Sequence, residues 1–418
     1  MTRLDEAARE RRVLDRIETA RRRRPKLRDR YITMAHGAGG KATAALVDAV
    51  FLEAFRNPAL EALDDGACVE VGGARLVLST DSYVVTPLFF PGGCIGDLAV
   101  NGTVNDLAVC GARPLYLSCG FVLEEGLPVD DLRRIVAAMA AAAQAAGVTL
   151  VTGDTKVVPR GRADGCYVNT TGLGLLSDGP RDPPGDVFGD DLPMDGVVVA
   201  DDPVGPWPVG YRPRGTRPAG PRPPGQTNAD SLGMARARPS DVVLVSGPIG
   251  DHGVTIMLAR GELDLEADLV SDTAPLAGLV ERLLAATADG DHGGGVRAMR
   301  DATQDGVATV LNELAMAAGV GVVIDEDALP VREAVRGAAE LLGIDPLYVA
   351  CEGRLVAVVA PEAADAALAA LRADPLGTGA AVIGRIVDDP PGLVLLNTAF
   401  GGTRIVDLLV GDPLPRIC

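Results

Sequence analysis

The spacing of apolar and polar positions divides the first half of the chain into alternating helices and strands. Apolar residues recur at helical spacing in three segments, which predicts helices at 41–55, 94–112 and 130–147, the last ended by Gly147. Runs rich in β-branched residues predict strands at 68–71, 74–85, 114–123, 148–158 and 166–176. Gly72 and Gly73 predict the turn between the first two strands. These elements predict an N-terminal α/β domain over residues 31–178.

A second α/β series follows in the C-terminal half. Apolar, β-branched runs predict strands at 241–250, 321–326, 354–360 and 380–387. Helical periodicity predicts a helix beginning near His252 and others at 274–286, 306–319, 331–343 and 361–373. The pattern therefore predicts a second domain over residues 241–408.

Three segments fit neither domain. Residues 1–30 are rich in arginine and mixed in charge, and we expect a helical or disordered extension. Residues 179–240 form an insertion and linker whose Pro and Gly content opposes regular structure. Residues 409–418 form a tail in which Pro413 and Pro415 favour an extended course, so we expect a mobile end that exposes the thiol of Cys418.

Composition limits the functional classes. A net charge of −18 over 418 residues disfavours a nucleic-acid partner. No apolar run approaches the roughly 20 residues of a membrane span, and the first residues do not resemble a signal peptide, so we expect a cytoplasmic protein without a membrane partner. Seven cysteines without a CxxC pair indicate free thiols.

Residues 36–41, HGAGGK, form a glycine-rich loop before a predicted helix. The backbone amides of Gly39 and Gly40 and the ammonium of Lys41 suit a phosphate group. The motif lacks the spacing of a Walker A loop, and a plain turn explains it nearly as well. Lysine is scarce, occurring only at 26, 41 and 156, which favours a specific use for Lys41 and Lys156.

Carboxylates recur where predicted elements of the first domain end. Oxygen ligands gathered from separate loops are what Mg²⁺ requires, so together they favour a magnesium–nucleotide site, although each alone suits a cap or turn. Lys156 lies two residues after one of them, on the same predicted strand face. The carboxylates are Asp64, Asp65, Asp81, Asp106 and Asp154.

Three further residues are candidates with plain alternatives. His252 suits a helix cap or a packing role at least as well as catalysis. Glu352 lies in a turn before a strand, which alone carries little information. Cys418 is either a chance terminal residue or a carrier thiol that visits more than one site, with Arg416 favouring its thiolate.

Taken together, these motifs resemble the HypE family of hydrogenase maturation proteins, within the superfamily of aminoimidazole ribonucleotide synthetase and selenophosphate synthetase. The resemblance runs from about residue 31 to the end, apart from the insertion. It is carried by HGAGGK, STDSYVVTPLFFPGG, GDLAVNGTVNDLAVCGARPLYLS, GDTKVV, NTTG, SGPIGDHG, VREAVRGAAELLGIDPLYVACEG and the terminal PRIC.

The resemblance implies a two-domain α/β fold of the aminoimidazole ribonucleotide synthetase type. It further implies a homodimer in which the N-terminal domains pair into a β-barrel, with ATP and Mg²⁺ nearby. A HypF carbamoyltransferase would load a carbamoyl group onto the C-terminal cysteine. ATP-dependent dehydration would then give a thiocyanate, whose cyano group passes to iron in a HypC–HypD complex for [NiFe]-hydrogenase.

The resemblance also implies residue roles. Asp81, Asp106 and Asp154 would coordinate magnesium, with Asp65 as a further ligand. The nucleotide would contact residues in three motifs, namely Gly39, Gly40, Lys41, Asp81, Asp154 and Thr155. The catalytic set would comprise Cys418 as carrier, Glu352 as proton acceptor, Lys156 and Asp106.

The chain departs from the family pattern in three respects, one of which is the presence of the insertion and the N-terminal extension. The family usually has MRDPTRGG where this chain has MRDATQDG at 299–306, and we expect this difference to alter a loop near the nucleotide phosphates. Arg354 replaces the family's lysine and keeps the positive charge. Two other functions remain open from the residues. One is a kinase or synthetase of the superfamily acting on a free small molecule, and the other is a non-enzymatic maturation scaffold that uses the tail for docking.

Overall fold

The computed structural model describes residues 27–176, 232–262, 267–288, 295–303, 306–409 and 417. The predicted N-terminal extension therefore lies almost entirely outside the described residues. Most of the predicted insertion and of the tail, including Cys418, lies outside them as well.

The N-terminal half is built on a five-stranded sheet of order β1-β2-β7-β5-β6. Its neighbours are antiparallel except β5 and β6, which are parallel. Gly72 and Gly73 have φ values of 59° and 86°, so the predicted turn between the first two strands is confirmed. The strands are β1 (Ala67–Val71), β2 (Ala74–Tyr83), β5 (Arg113–Glu124), β6 (Thr149–Val158) and β7 (Cys166–Leu176). A small hairpin pairs β3 (Phe89–Phe90) with β4 (Gly93–Cys94).

One long helix packs against the central strands of this sheet, and a second long helix packs on the first. The first helical segment starts as α1 (Lys41–Leu46), continues as a π-helix (Val47–Leu52) and ends in a last turn (Glu53–Phe55). The next helices, α2 (Ile95–Val109) and α3 (Val129–Ala146), approach closely at Gly96, where a Cβ would lie 2.3 Å from the carbonyl oxygen of Ile135. The small residues of α2 therefore serve helix packing.

The C-terminal half is built on a seven-stranded sheet of order β14-β13-β10-β12-β8-β11-β9. Its neighbours are antiparallel except β10 and β13, which are parallel. The strands are β8 (Val242–Val245), β9 (Val296–Asp301), β10 (Gly321–Asp325), β11 (Leu355–Val359), β12 (Ala381–Val387), β13 (Val394–Asn397) and β14 (Thr403–Val406). The helices are α4 (Asp251–Ala259), α5 (Ala277–Ala286), α6 (Gly306–Ala318), α7 (Glu333–Leu342) and α8 (Ala364–Arg372).

Short 3-10 turns connect several of these elements. They are Met34–Gly37, Leu60–Ala62, Met234–Arg236, Glu326–Ala328, Pro346–Tyr348, Pro361–Ala363 and Pro375–Gly377. The sequence pattern did not predict β9, β13, β14 or the β3–β4 hairpin. Of the helices described, none combines the length and the apolar character needed to cross a bilayer.

One apolar cluster links the two halves. It contains residues of α2 and α3, such as Ile95 and Met139, together with Ile256 and Ala350 from the C-terminal half. Ile417, near the end of the chain, belongs to the same cluster. The chain end therefore returns to the junction between the two sheets.

Candidate functional site

Four aspartates from separate elements meet where the two halves join. Asp65 precedes β1, Asp81 lies on β2 and Asp106 lies in the last turn of α2, whereas Asp301 ends β9. Carboxylate oxygens of Asp65, Asp106 and Asp301 lie within 4.8 Å of one another. Asp81 lies in hydrogen-bonding contact with Asp106, whose Oδ2 also accepts a 2.5 Å bond from the hydroxyl of Ser79.

The crowding of these carboxyls makes their ionisation costly. Burial, and then the charges of Asp81, Asp301 and Asp65, raise the pKa of Asp106 well above its usual value. Burial raises the pKa of Asp301 likewise, with Asp65 and Asp81 adding to the effect. Burial also raises the pKa of Asp65 to about 6, although the Arg300 guanidinium opposes the shift. The cluster is therefore a concentration of negative potential that a cation would relieve.

The aspartates line a cavity of about 200 Å³. Arg300 closes one side, donating from Nε to Asp65 at 2.6 Å and lying 2.8 Å from Glu313. The other lining residues are Gly39, Thr303, Thr309 and Val310. Because small-molecule sites usually measure about 300–1,000 Å³, this cavity suits a hydrated ion with phosphate oxygens better than a whole nucleotide.

The donor set fits magnesium. Hard carboxylate oxygens from three backbone segments converge there and that of Asp81 lines the same cavity, and Mg²⁺ usually takes one or two such carboxylates with phosphate and water oxygens. Three of the four, Asp65, Asp81 and Asp106, were candidates from the sequence. The fourth, Asp301, was not.

The glycine-rich loop reaches this cavity through one residue. Gly39 has a φ of 85° and lines the cavity, and Gly40 is the N-cap residue of α1. The ammonium of Lys41 lies 2.7 Å from the Asp407 carboxylate, and its backbone amide donates to the carbonyl of Leu409. The loop is thus fastened to the segment that leads toward the tail.

Asp154, Thr155 and Lys156 lie on β6, apart from the aspartate cluster of their own chain. Asp154 and Lys156 share one strand face, as predicted, and form a 2.9 Å ion pair with both side chains about 70% exposed. Asp81 faces Thr170 on β7, which faces Cys119 on β5, which faces Gly153 on β6. Three strand spacings, roughly 14 Å, therefore separate Asp154 from Asp81 within one chain.

Glu352 is buried in the turn before β11. Its backbone amide donates to Asp272 Oδ1 at 3.0 Å, and its carbonyl accepts from the Asn105 side chain at 3.3 Å. Tyr83 lies near this glutamate and the aspartates, with its hydroxyl donating to Asp81 at 3.3 Å. Burial raises the pKa of Tyr83 well above its usual value, and the carboxylates of Asp81, Asp106 and Glu352 add to the shift.

His252 and Ile417 meet at the junction of the two halves. His252 is fully buried in the first turn of α4, and its Nε2 lies 2.9 Å from the Ile417 carbonyl oxygen. Its Nδ1 lies 2.7 Å from the hydroxyl of Ser271. Cys418, the predicted carrier, is outside the described residues, but the residue before it is thus held beside the segment that bears Glu352.

Six cysteines of the described chain are free thiols, as the sequence predicted. Three of them lie in the same apolar cluster as Ile417, and burial raises the pKa of each to about 11. They are Cys94, Cys119 and Cys166.

Sequence reasoning missed Asp301, Arg300 and Tyr83. Asp301 and Arg300 belong to MRDATQDG, which was treated as a departure from a pattern and not as a source of ligands. Tyr83 lies two residues after Asp81, so the two-residue period of a strand was the signal for placing both on one face.

Two family profiles match the chain. "AIR synthase related protein, N-terminal domain" matches residues 63–176, and "AIR synthase related protein, C-terminal domain" matches residues 238–395. The two profiles correspond to the two sheets described above. The two-domain α/β part of the predicted fold is thereby confirmed.

Relatives and solved structures agree with the profiles. "Carbamoyl dehydratase HypE" of Rhodobacter capsulatus is 49% identical over 94% of this chain and 99% of its own length. The HypE–HypF complex has a chain 40% identical at a TM-score of 0.70, covering 87% of this chain and 100% of its own. A HypE in complex with ATP is 41% identical at a TM-score of 0.67, with coverages of 93% and 100%. The chain belongs to the HypE family of AIR synthase-related proteins.

Proposed function

We propose that this chain catalyses the ATP-dependent dehydration of a carbamoyl group carried on Cys418. The thiocarboxamide S–C(=O)–NH₂ becomes the thiocyanate S–C≡N, while ATP becomes ADP and phosphate. The carbamoyl oxygen leaves in the phosphate, and both N–H protons are released. The product supplies cyanide ligands for the iron centre of [NiFe]-hydrogenase.

The observation that carries this proposal is the burial of the chain end. Ile417 is only 4% exposed and packs in the cluster that joins the two halves. A tail used only for docking a partner would gain nothing from burying its penultimate residue inside its own chain. An enzyme whose substrate is attached to the next residue would require that placement.

The aspartate cluster supports the nucleotide part of the proposal. Asp65, Asp81, Asp106 and Asp301 would hold magnesium, because their oxygens converge and their mutual repulsion favours a cation. Bound Mg²⁺ and ATP supply charge neutralisation and the phosphoryl group that turns the carbamoyl oxygen into a leaving group. Gly39 lines that cavity just before α1, and its backbone amide donates to the Thr43 hydroxyl at 2.9 Å, which fixes the loop beside the site.

Glu352 is the proton acceptor in this proposal. Its main chain is fixed on both sides, by Asp272 at the amide and by Asn105 at the carbonyl. The carboxylate carried by this fixed main chain can take an N–H proton from the carbamoyl group as its oxygen departs. Tyr83 donates to Asp81, and the Glu352 carboxylate lies near enough to raise the pKa of Tyr83, so this phenol is electrostatically coupled to both the base and the nucleotide site.

A homodimer would complete the site with residues of β6. This strand is an edge of its sheet and is exposed on both faces for nearly its whole length. Its exposed apolar residues include Val151 and Val157, and an exposed apolar edge is usually covered by a partner. Pairing of the N-terminal sheets into a barrel would cover it and bring Asp154, Thr155 and Lys156 toward the nucleotide site of the second copy.

The partners follow from the chemistry of the tail. A HypF carbamoyltransferase would load Cys418, and a HypC–HypD complex would accept the cyano group. Both steps require the chain end to leave its buried position, whereas dehydration requires it to return. We place all three steps in the cytoplasm.

The decisive experiment is the mass of the C-terminal peptide. The full chain would be incubated with HypF and carbamoyl phosphate, and the peptide measured before and after ATP–Mg²⁺ is added. We expect a carbamoyl adduct first, and then the loss of one water together with the release of one phosphate. Cys418→Ala should show neither adduct.

Two results would contradict the proposal. If Cys418→Ala still hydrolysed ATP and released a diffusible product at the rate of the unmodified chain, the enzyme would act on a free small molecule. If the carbamoyl adduct formed and persisted with ATP, while HypF and HypC–HypD still bound, the chain would be a scaffold.

A further inference from the structure

The end of the chain is held by a main-chain contact as well as by apolar packing. The Ile417 side chain packs in the junction cluster, and its carbonyl oxygen accepts a hydrogen bond from His252 Nε2 at 2.9 Å. Apolar packing determines how deeply the Ile417 side chain is buried, but it restricts rotation and sliding of the main chain only weakly. A hydrogen bond to the backbone fixes where the next residue begins.

The surroundings of His252 fix which nitrogen carries the proton. A carbonyl oxygen can only accept, so Nε2 must be the donor to Ile417. Nδ1 then accepts from the Ser271 hydroxyl at 2.7 Å, and Ser271 Oγ in turn accepts from the Thr273 amide at 3.1 Å. The edge-to-face contact with Phe90, at 5.6 Å between ring centres, holds the ring plane. The imidazole is therefore oriented toward the tail by two separate neighbours, Ser271 and Phe90.

The segment of residues 271–273, which orients His252, also holds Glu352. Ser271 bonds to His252, and the next residue, Asp272, accepts from the Glu352 amide at 3.0 Å. Gly353 packs directly on this segment, because a Cβ there would lie 1.8 Å from the Asp272 carbonyl oxygen. The chain end and the proposed base are thus tied to adjacent residues of one segment.

We propose that His252, oriented by Ser271, is a positioning residue that clamps the Ile417 carbonyl and sets the group carried on Cys418 in register with Glu352. The inference rests on the proposed function for its purpose. The clamp itself can be tested without that function. A histidine that served only core packing would not affect how long the chain end stays buried.

The first experiment measures exposure of the terminal thiol in the full chain without ATP or HypF. The rate of alkylation of Cys418 is followed by mass spectrometry of the C-terminal peptide, with the Cys68 peptide of each sample as an internal reference. Loss of one buried hydrogen bond should raise the Cys418 rate about fivefold to tenfold. We expect that increase in His252→Leu and a smaller increase in Ser271→Ala.

Two further variants separate the clamp from general damage. His252→Gln keeps a side-chain amide donor near the position of Nε2, so its alkylation rate should return close to that of the unmodified chain. Ile417→Ala changes only the tail side of the contact and should also raise the rate, even if His252→Leu proves unable to fold. Equal rates in the unmodified chain and Ile417→Ala would overturn the clamp.

The second experiment measures the reaction of the loaded chain in a single turnover. Carbamoyl loading by HypF should be unchanged or faster in Ile417→Ala, because loading needs the tail released. Loss of water after ATP addition should be about tenfold slower at saturating ATP, with the ATP dependence unchanged. A slower loading step with normal dehydration would refute the positioning role. Absence of dehydration in the unmodified chain would instead refute the proposed function, leaving the alkylation result to stand.

Discussion

Replacing Asp301 by asparagine should stabilise the metal-free protein, the opposite of the usual effect of changing a buried site. Asp301 is buried, and its carboxylate oxygen lies within 4.8 Å of those of Asp65 and Asp106. Two unit charges at 4.8 Å repel by about 3 kcal/mol at an effective dielectric constant of about 20. If one carboxyl instead stays protonated at neutral pH, the free-energy cost is roughly 4 kcal/mol. Whether the carboxyl is ionised or protonated, the folded state is destabilised, and a neutral asparagine removes this destabilisation.

We expect a net gain of about 1–3 kcal/mol for Asp301→Asn in EDTA, since the new amide can also donate to a neighbouring carboxylate. For a chain of 418 residues that gain corresponds to a rise in Tm of about 1–3 °C. In the unmodified chain, Mg²⁺ at a hundredfold excess over its Kd should add about 2.7 kcal/mol, and Asp301→Asn should lose most of this increment. Differential scanning calorimetry with and without Mg²⁺ measures both quantities.

Asp154→Asn is the matched control, because it makes the same chemical change at an exposed ion pair. Its Tm in EDTA should change little, since exposed pairs contribute about 0–1 kcal/mol. The reasoning fails if Asp301→Asn lowers Tm in EDTA and leaves the Mg²⁺ increment intact. A reduced increment in Asp154→Asn would show that this residue shares the ion despite its distance within one chain.

Three more predictions follow from the same contacts. Glu352→Gln should bind ATP normally but slow water loss from the carbamoylated tail peptide at least about a hundredfold, as measured by mass spectrometry, and normal dehydration would exclude it as the base. Gly102→Ala should lower the free energy of unfolding by about 1–3 kcal/mol in urea titrations, because its Cβ would lie 2.1 Å from the Tyr83 hydroxyl, whereas Gly37→Ala, with open space around its Cβ, should not. Burial lowers the pKa of His252 to about 4, with the nearby Arg260 adding to the effect. The neutral buried imidazole therefore contributes its full stabilisation to the folded protein above pH 6.5, and this contribution is lost as the pH falls toward 4. Between pH 6.5 and pH 4 the free energy of unfolding of the unmodified chain should fall by up to about 3 kcal/mol more than that of His252→Gln. Urea titrations at several pH values measure this difference, and parallel pH dependences of the two proteins would contradict it.

The sequence predicted helices and strands well where one pattern dominated. The helix at Val129–Ala146 ends at Gly147, whose φ of 68° is the left-handed conformation that such a stop requires. The strand Val296–Asp301 was missed because VRAMRD contains a single β-branched residue and two arginines. Its pairing with β11 in the sheet stabilises the extended conformation that its own residues favour weakly.

Three of the four aspartates in the cluster could be identified from sequence, because each lies in or next to a recognisable element. The sequence could not show that Asp154 lies apart from these aspartates, because spacing along the chain does not reveal the order of strands in the sheet. The register places Asp154 three strands from Asp81, a fact that only the completed sheet contains. The contact between His252 and Ile417 joins residues 165 positions apart and had no local signal at all.

The buried thiols around the chain end bear on where a cyano group can go. A thiocyanate is an electrophile, and any nearby thiolate would capture its cyano group and divert it from iron. With pKa values of about 11, Cys94, Cys119 and Cys166 are ionised in only about one molecule in ten thousand at neutral pH. The apolar junction that receives the tail therefore keeps its own sulfur atoms inert, and the activated carbon should survive there long enough to be delivered.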